Sequence, residues 1–307
     1  MEYFDYTNLE DFLADEDIID ALNIKKPIEK LVAYYCTDEI LEIREGMRIP
    51  FFAEIRNYIG AVEKENPSEK WLIKPVDDEK TQKQTEIATI CYFIDHMTRT
   101  PSAPSIITKI DGRTYKATKM IARSEQLSGA NYMEIRELKE QLLLDLINRW
   151  IYYDEDRNPN NYVIRYNSKN NQIVIPIDFL NSDLLYKGMK IKGNDESFGW
   201  SRLEKTRYLT PLKIENFLIY DMKFFNMRFD YFNSLDMRKL QEMCRVVLRH
   251  NPDKNELAQN ITDNIKHRVD YVYEYFNKHF PYERVHDDED KYNDMGEAFK
   301  NIYNKFD

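Results

Sequence analysis

The chain reads Tyr153-Asp-Glu-Asp156-Arg-Asn158-Pro-Asn-Asn161-Tyr-Val-Ile164, then Asn167-Ser-Lys-Asn-Asn-Gln172, then Ile173-Val-Ile-Pro-Ile-Asp178-Phe179. An acid, Asp156, stands before an amide, Asn161, in a segment rich in Asn, Asp and Pro. Those residues favour turns, because Asn and Asp bond their own backbone and Pro presets φ. The apolar runs on either side of Asn167–Gln172 predict two short strands joined by a turn. A second acid, Asp178, closes the later strand. One carboxylate that can orient a hydroxyl, beside an amide and a carboxylate that can hold a divalent cation, is the oxygen set that phosphoryl transfer requires.

Working outward, the run Trp71-Leu-Ile-Lys74 predicts a strand, and the segment 81–97 predicts a helix with Ile87, Ile90, Cys91 and Ile94 on one stripe. Glu86 lies near the start of that helix. A strand lysine can present its ammonium to phosphates, and a helix glutamate can pair with it and fix its reach. Segments 105–110 and 113–121 flank Asp111-Gly112, a strong two-residue hairpin signal. Arg48-Ile-Pro-Phe-Phe reads as a further strand, 124–131 as a loop and 133–150 as a long helix. The segments 212–224, 235–248, 254–276 and 295–306 read as helices. The acidic run His286-Asp-Asp-Glu-Asp-Lys reads as a solvated linker, and the aromatic run from Phe224 to Phe232 as core. The order predicts an α+β protein of two lobes: a helical extension at 1–45, a small β-rich lobe at 46–122 and a mostly helical lobe at 123–307.

Each residue taken singly has a plainer reading. A lysine after apolar residues is usually a strand edge reaching water, and a glutamate near a helix start is usually a favourable dipole contact. Asp178 alone could simply end a strand. The set, in this order and on these elements, is what points to chemistry.

Composition narrows the classes. With 307 residues and 42% hydrophobic content the chain can bury a substantial core. Its 22 Tyr and 16 Phe argue against wholesale disorder. A net charge of −10 argues against a bulk grip on nucleic acid. Three scattered cysteines without a C-x-x-C pair, and histidines without ligand spacing, argue against a disulfide scaffold or zinc site and suit a reducing compartment. No stretch reaches the roughly 20 apolar residues that span a bilayer. The acidic start Met1-Glu-Tyr-Phe lacks the basic region of a signal peptide. A cytoplasmic protein is expected, or an effector translocated without a classical signal.

Asp156-Arg-Asn158-x-x-Asn161 followed by Ile177-Asp178-Phe179 resembles the catalytic and metal motifs of the protein-kinase-like superfamily. It is most similar to the HipA/CtkA-like branch of bacterial Ser/Thr kinases, which is related to the phosphatidylinositol kinases. That resemblance covers roughly 50–185. It implies Asp156 as the catalytic aspartate that orients the acceptor hydroxyl, Asn161 and Asp178 as Mg2+ ligands, Lys74 as ATP lysine and Glu86 as its partner. It further implies Gly60 and Lys64 on a phosphate loop, with Met120 and Ile121 beside adenine. ATP and Mg2+ are the implied cofactors. A protein Ser/Thr acceptor is the implied partner, with autophosphorylation and an activating partner protein as further expectations. Asn158 departs from the family, which carries histidine there. A lipid or small-molecule kinase of the aminoglycoside phosphotransferase type, and a pseudokinase binding module, are the alternative readings.

Overall fold

The computed structural model describes residues 16–132, 134–154, 156, 158–167, 171–187 and 220–281. Strand alternation builds the first sheet. In β3 (Lys70–Pro75), Trp71 and Ile73 are fully buried, while Leu72 and Lys74 take the opposite face. β1 (Leu41–Ile43) and β2 (Ile59–Glu63) extend this strand on one side. β5 (Arg113–Lys119) and β4 (Ser105–Ile110) extend it on the other, in the antiparallel order β1-β2-β3-β5-β4. Asp111 and Gly112 join β4 to β5 with φ of 50° and 75°, the left-handed pair a tight hairpin needs.

The sheet's Trp71 and Ile73 face is covered by α4 (Glu79–Met97). Asp78 caps this helix by accepting a 2.8 Å bond from the Thr81 amide. Two short helices, α1 (Glu16–Ala21) and α2 (Ile28–Tyr35), add Ile18, Leu22, Leu31 and Tyr35 to the same core.

The C-terminal part forms around α5 (Arg136–Ile151). Leu138, Leu142, Leu146 and Ile147 bury one stripe, and Gln141, Asp145, Asn148 and Arg149 are buried as well, so little of the helix meets water. A second antiparallel sheet, β6 (Ser124–Gln126), β7 (Tyr162–Tyr166) and β8 (Gln172–Pro176), lies beside it. Helices α6 (Met222–Asn233), α7 (Met237–Val247) and α8 (Lys254–His279) complete the described chain. Phe224, Phe225, Phe229 and Phe232 are buried, and Trp150 meets Tyr275 and Phe276 edge-on. The aromatic run is therefore core, as its setting between helices predicts. Among the described residues no helix is long and apolar enough to cross a membrane.

Three expectations change. A strand, Leu41–Ile43, falls inside the 1–45 segment read as wholly helical, because three residues are too few to show a period. Residues near Arg48-Ile-Pro-Phe-Phe form a short helix, α3 (Phe51–Ile55), instead of a strand. Pro50 stands at its N-cap, ahead of the turn where proline's missing N–H would otherwise break a helix. Part of the 124–131 loop is β6, recruited by pairing with β7 and not by local propensity. The predicted helix at 295–306, the acidic run and most of 212–224 lie outside the described residues.

Arg149 connects these parts. Its guanidinium is 2.9 Å from Asp95 of α4 and 3.1 Å from Asp145 one turn back, and Asp154 stands at 3.9 Å. Burial disfavours its charge, but Asp145 and Asp95 outweigh that and hold its pKa well above the ordinary range. Asp95 also accepts bonds from Asn148 Nδ2 at 2.8 Å and Tyr152 Oη at 2.7 Å. Removing one partner of a buried charge group leaves the others uncompensated. Asp95→Ala should therefore lower stability by about 3 kcal/mol or more, read as a shifted urea midpoint at unchanged slope.

Candidate functional site

The Asp-rich turn is built by its own amides. Asn158 Oδ1 accepts from the Asn160 amide at 2.9 Å and caps a single 3₁₀ turn, Pro159–Asn161. Its Nδ2 donates to Asp156 Oδ1 at 2.8 Å. Asn181 Nδ2 donates to Asp156 Oδ2 at 3.1 Å, so both carboxylate oxygens of Asp156 are aimed by amides. Asn158 thus orients the Asp156 carboxylate directly.

Asn161 is 5% exposed, and its Nδ2 donates to the Asp156 carbonyl at 2.5 Å. That leaves Oδ1 as the amide atom able to face a cation. The Asn161 carbonyl accepts from the Ile177 amide at 3.1 Å, which brings the turn beside the end of β8. Val163↔Ile175 pairing and the Ala103 amide on Pro176 O at 2.9 Å fix that strand end. Gln141 fixes it further, accepting from the Val174 amide at 2.8 Å and donating to Gln172 O at 2.8 Å. Asp178 follows at once, and its Oδ1 accepts from the Leu180 amide at 3.2 Å. Asn161 and Asp178 both line one cleft.

The cleft lies between the first sheet and the second and encloses roughly 910 Å³, part of it open to solvent. Leu72 and Thr118 give it an apolar wall from β3 and β5. Met120 and Ile121 line it just past β5, and Val163 and Ile177 close it from the other sheet. The Met120 amide is taken by Lys70 O at 2.8 Å and the Ile121 carbonyl by Ser124 Oγ at 2.7 Å.

The remaining predicted residues are placed differently. Lys74 is exposed, its Nζ 5.7 Å from the centre of the Tyr58 ring, and it does not line the cleft. Glu86 is buried, accepts from Gln82 Nε2 at 3.1 Å, and lines a separate cavity with Asp38, Arg249 and His250. Burial raises its carboxyl pKa. The expected Lys74–Glu86 pair is not formed, because Lys74 is on the cleft face of β3 and Glu86 faces α7. Lys64 pairs with Glu39 at 3.5 Å, past the far end of β2. Gly60 is buried in β2, where a Cβ would come within 2.6 Å of Met47 Cε and 2.9 Å of Met47 Cβ. The glycine thus makes room for Met47. The segment that reaches the cleft from this side is the β1–β2 connection, through Pro50, Arg56 and Tyr58.

Among the cleft groups that the sequence reading did not single out are two buried lysines of β5, and Lys119 pairs with Glu69 at 2.9 Å on its own side of the cleft. Lys116 of β5 is buried, with Nζ 3.1 Å from Asp178 Oδ1 and 3.5 Å from Tyr58 Oη. Burial pulls its pKa down, and Asp178 and Tyr58 together more than reverse this, leaving it raised. Strand period alone carried the signal, because Lys116 and Thr118 alternate with Tyr115 and Ala117, the core-facing residues of β5.

Asn161 and Asp178 offer hard oxygens, the donor type Mg2+ prefers, and Asp178 already takes a cation at its carboxylate. Two protein ligands suffice where phosphate oxygens and water complete the shell. Among the described residues no group of three or more His, Cys, Asp or Glu is arranged for a metal.

No protein-family model matches this chain, and no curated protein matches it. Among solved structures, one titled as the crystal structure of a Helicobacter pylori proinflammatory kinase, CtkA, is similar to it. The TM-score is 0.47 and the identity 12%, over 76% of this chain and 94% of that one.

The Gly60 assignment has a direct test. Gly60→Ala should cost about 1–3 kcal/mol by overpacking, and Met47→Ala should relieve much of that in the double variant. The measurement is a double-mutant cycle of urea midpoints, which reads the contact itself.

Proposed function

We propose that this protein is an ATP- and Mg2+-dependent kinase that transfers phosphate to a Ser or Thr hydroxyl of a protein. The observation that carries the reading is the linkage at Asn161. Its side chain holds the Asp156 backbone at 2.5 Å, and its own backbone holds Ile177, next to Asp178, at 3.1 Å. Three residues far from unique singly are thereby linked through hydrogen bonds to backbone, and two of them, Asn161 and Asp178, line one apolar cleft.

The apolar wall of Leu72, Met120, Ile121 and Val163 suits an adenine ring. Backbone groups around Met120 and Ala122 would meet its edge. Asn161 Oδ1 and the Asp178 carboxylate would hold Mg2+, which neutralises charge on the phosphates when bound. Asp156 would orient the acceptor hydroxyl and take its proton as the oxygen attacks the γ-phosphorus and the bond to the β-phosphate oxygen breaks. Asn158 and Asn181 keep both Asp156 oxygens in place during this step. Most of the acceleration would come from positioning and charge complementarity.

Incubation with γ-labelled ATP and Mg2+, alone and with cell lysate, should place label on Ser or Thr of this chain or of lysate proteins. Label confined to lipid or small-molecule fractions would overturn the protein acceptor. Asp156→Asn should keep nucleotide binding and lower turnover by about 10²-fold or more. Asp178→Asn should instead remove the Mg2+ dependence of nucleotide binding, measured by fluorescence of an ATP analogue with and without metal.

A further inference from the structure

Lys116 is an expensive residue to place where it lies. Its side chain is 4% exposed, and a buried ammonium persists only where a partner offsets lost hydration. β-pairing sets it directly across from Lys74, a like charge, which makes the position costlier still. Two features offset this. The ring of Tyr58 stands about equally far from both ammoniums, 5.7 Å from Lys74 Nζ and 5.9 Å from Lys116 Nζ. Asp178 supplies the full opposite charge. Among the described residues Lys116–Asp178 is the ion pair that crosses this cleft, joining the first sheet to the strand end after β8.

We propose that Lys116 is the phosphate-contacting lysine of this site and that it holds Asp178 in the place of the metal until nucleotide arrives. This rests on the kinase reading above and assigns within it a residue that the Lys74 expectation overlooked. In the free protein the Asp178 carboxylate needs a cation, and Lys116 Nζ provides it at 3.1 Å. With Mg2+ and ATP bound, Asp178 would hold the metal and the Lys116 ammonium would meet the phosphate oxygens. Lys74, exposed on the same face of the sheet, contributes at the rim.

Such an exchange predicts coupling of opposite signs at one residue, which a purely structural strut would not produce. Lys116→Met removes the cation that competes with metal. Mn2+ alone, followed by water-proton relaxation, should then bind roughly fivefold or more tightly than in the wild type. The same variant should bind a fluorescent ATP analogue with Mg2+ roughly fivefold or more weakly. Lys74→Met should leave Mn2+ binding unchanged and weaken nucleotide less. Mn2+ binding no tighter in Lys116→Met, or nucleotide binding unchanged, would overturn the proposal.

A second measurement needs no variant and is indifferent to folding defects. An acyl-phosphate derivative of ATP acylates the amine nearest its phosphates. Peptide mapping of the wild-type chain should find the acyl group on Lys116 when Mg2+ is present. Acylation of Lys74 in its place would overturn this assignment and leave the kinase reading standing. A wild type that neither binds Mg·ATP nor is acylated would overturn both.

Discussion

The charge of Arg149 has to be satisfied without water, and much of the molecule is arranged to do so. Its guanidinium is 1% exposed, at the last turn of the most buried helix. Asp95 reaches it from the helix that covers the first sheet, Asp145 from its own helix, and Asp154 from the start of the Asp-rich turn. Its flat face lies 4.8 Å from the centre of the Phe179 ring, immediately after Asp178, and 4.9 Å from that of Tyr152. A single cation therefore fixes the covering helix, the Asp-rich turn and the residue after Asp178 with respect to one another. Arginine suits this place because its rigid fork can meet several carboxylates and stack on rings at once, which an ammonium cannot.

Arg268 does similar work from α8. Its Nη1 donates to Ile151 O and its Nη2 to Asp183 O, both at 2.9 Å, and it also bonds Tyr186 O. The end of α5 and the segment after Asp178 are thus held by one side chain. The site is precise because buried cations from two helices supply donors where irregular backbone would otherwise lack them.

Much of the frame was legible in the sequence, and the reason is local. The 105–121 hairpin follows from Asp111-Gly112, whose left-handed angles few other residue pairs accept. The helices at 79–97, 136–151, 237–247 and 254–279 follow from apolar spacing over several turns. The turn around Asn161 was readable because Asn and Asp act within a few residues. What could not be read was set across long separations. Lys74 and Glu86 are close in sequence, but strand period sends Lys74 to one face of the sheet and α4 carries Glu86 to the other. Lys116 meets Asp178 only after two sheets have been brought together. Gly60 looked like a phosphate contact, and only the neighbouring Met47 reveals why a side chain is missing there.

Gln141 carries a consequence of a different kind. β8 is the last strand of its sheet, and such a margin normally offers its backbone to any extended peptide. Here the Gln141 amide satisfies Val174 N–H and Gln172 O, the Ala103 amide takes Pro176 O, and Pro176 has no N–H to give. Part of the margin is thus occupied from within by a side chain that imitates one more strand. A polypeptide adding to that sheet at β8 would have to displace the Gln141 amide and Ala103 first.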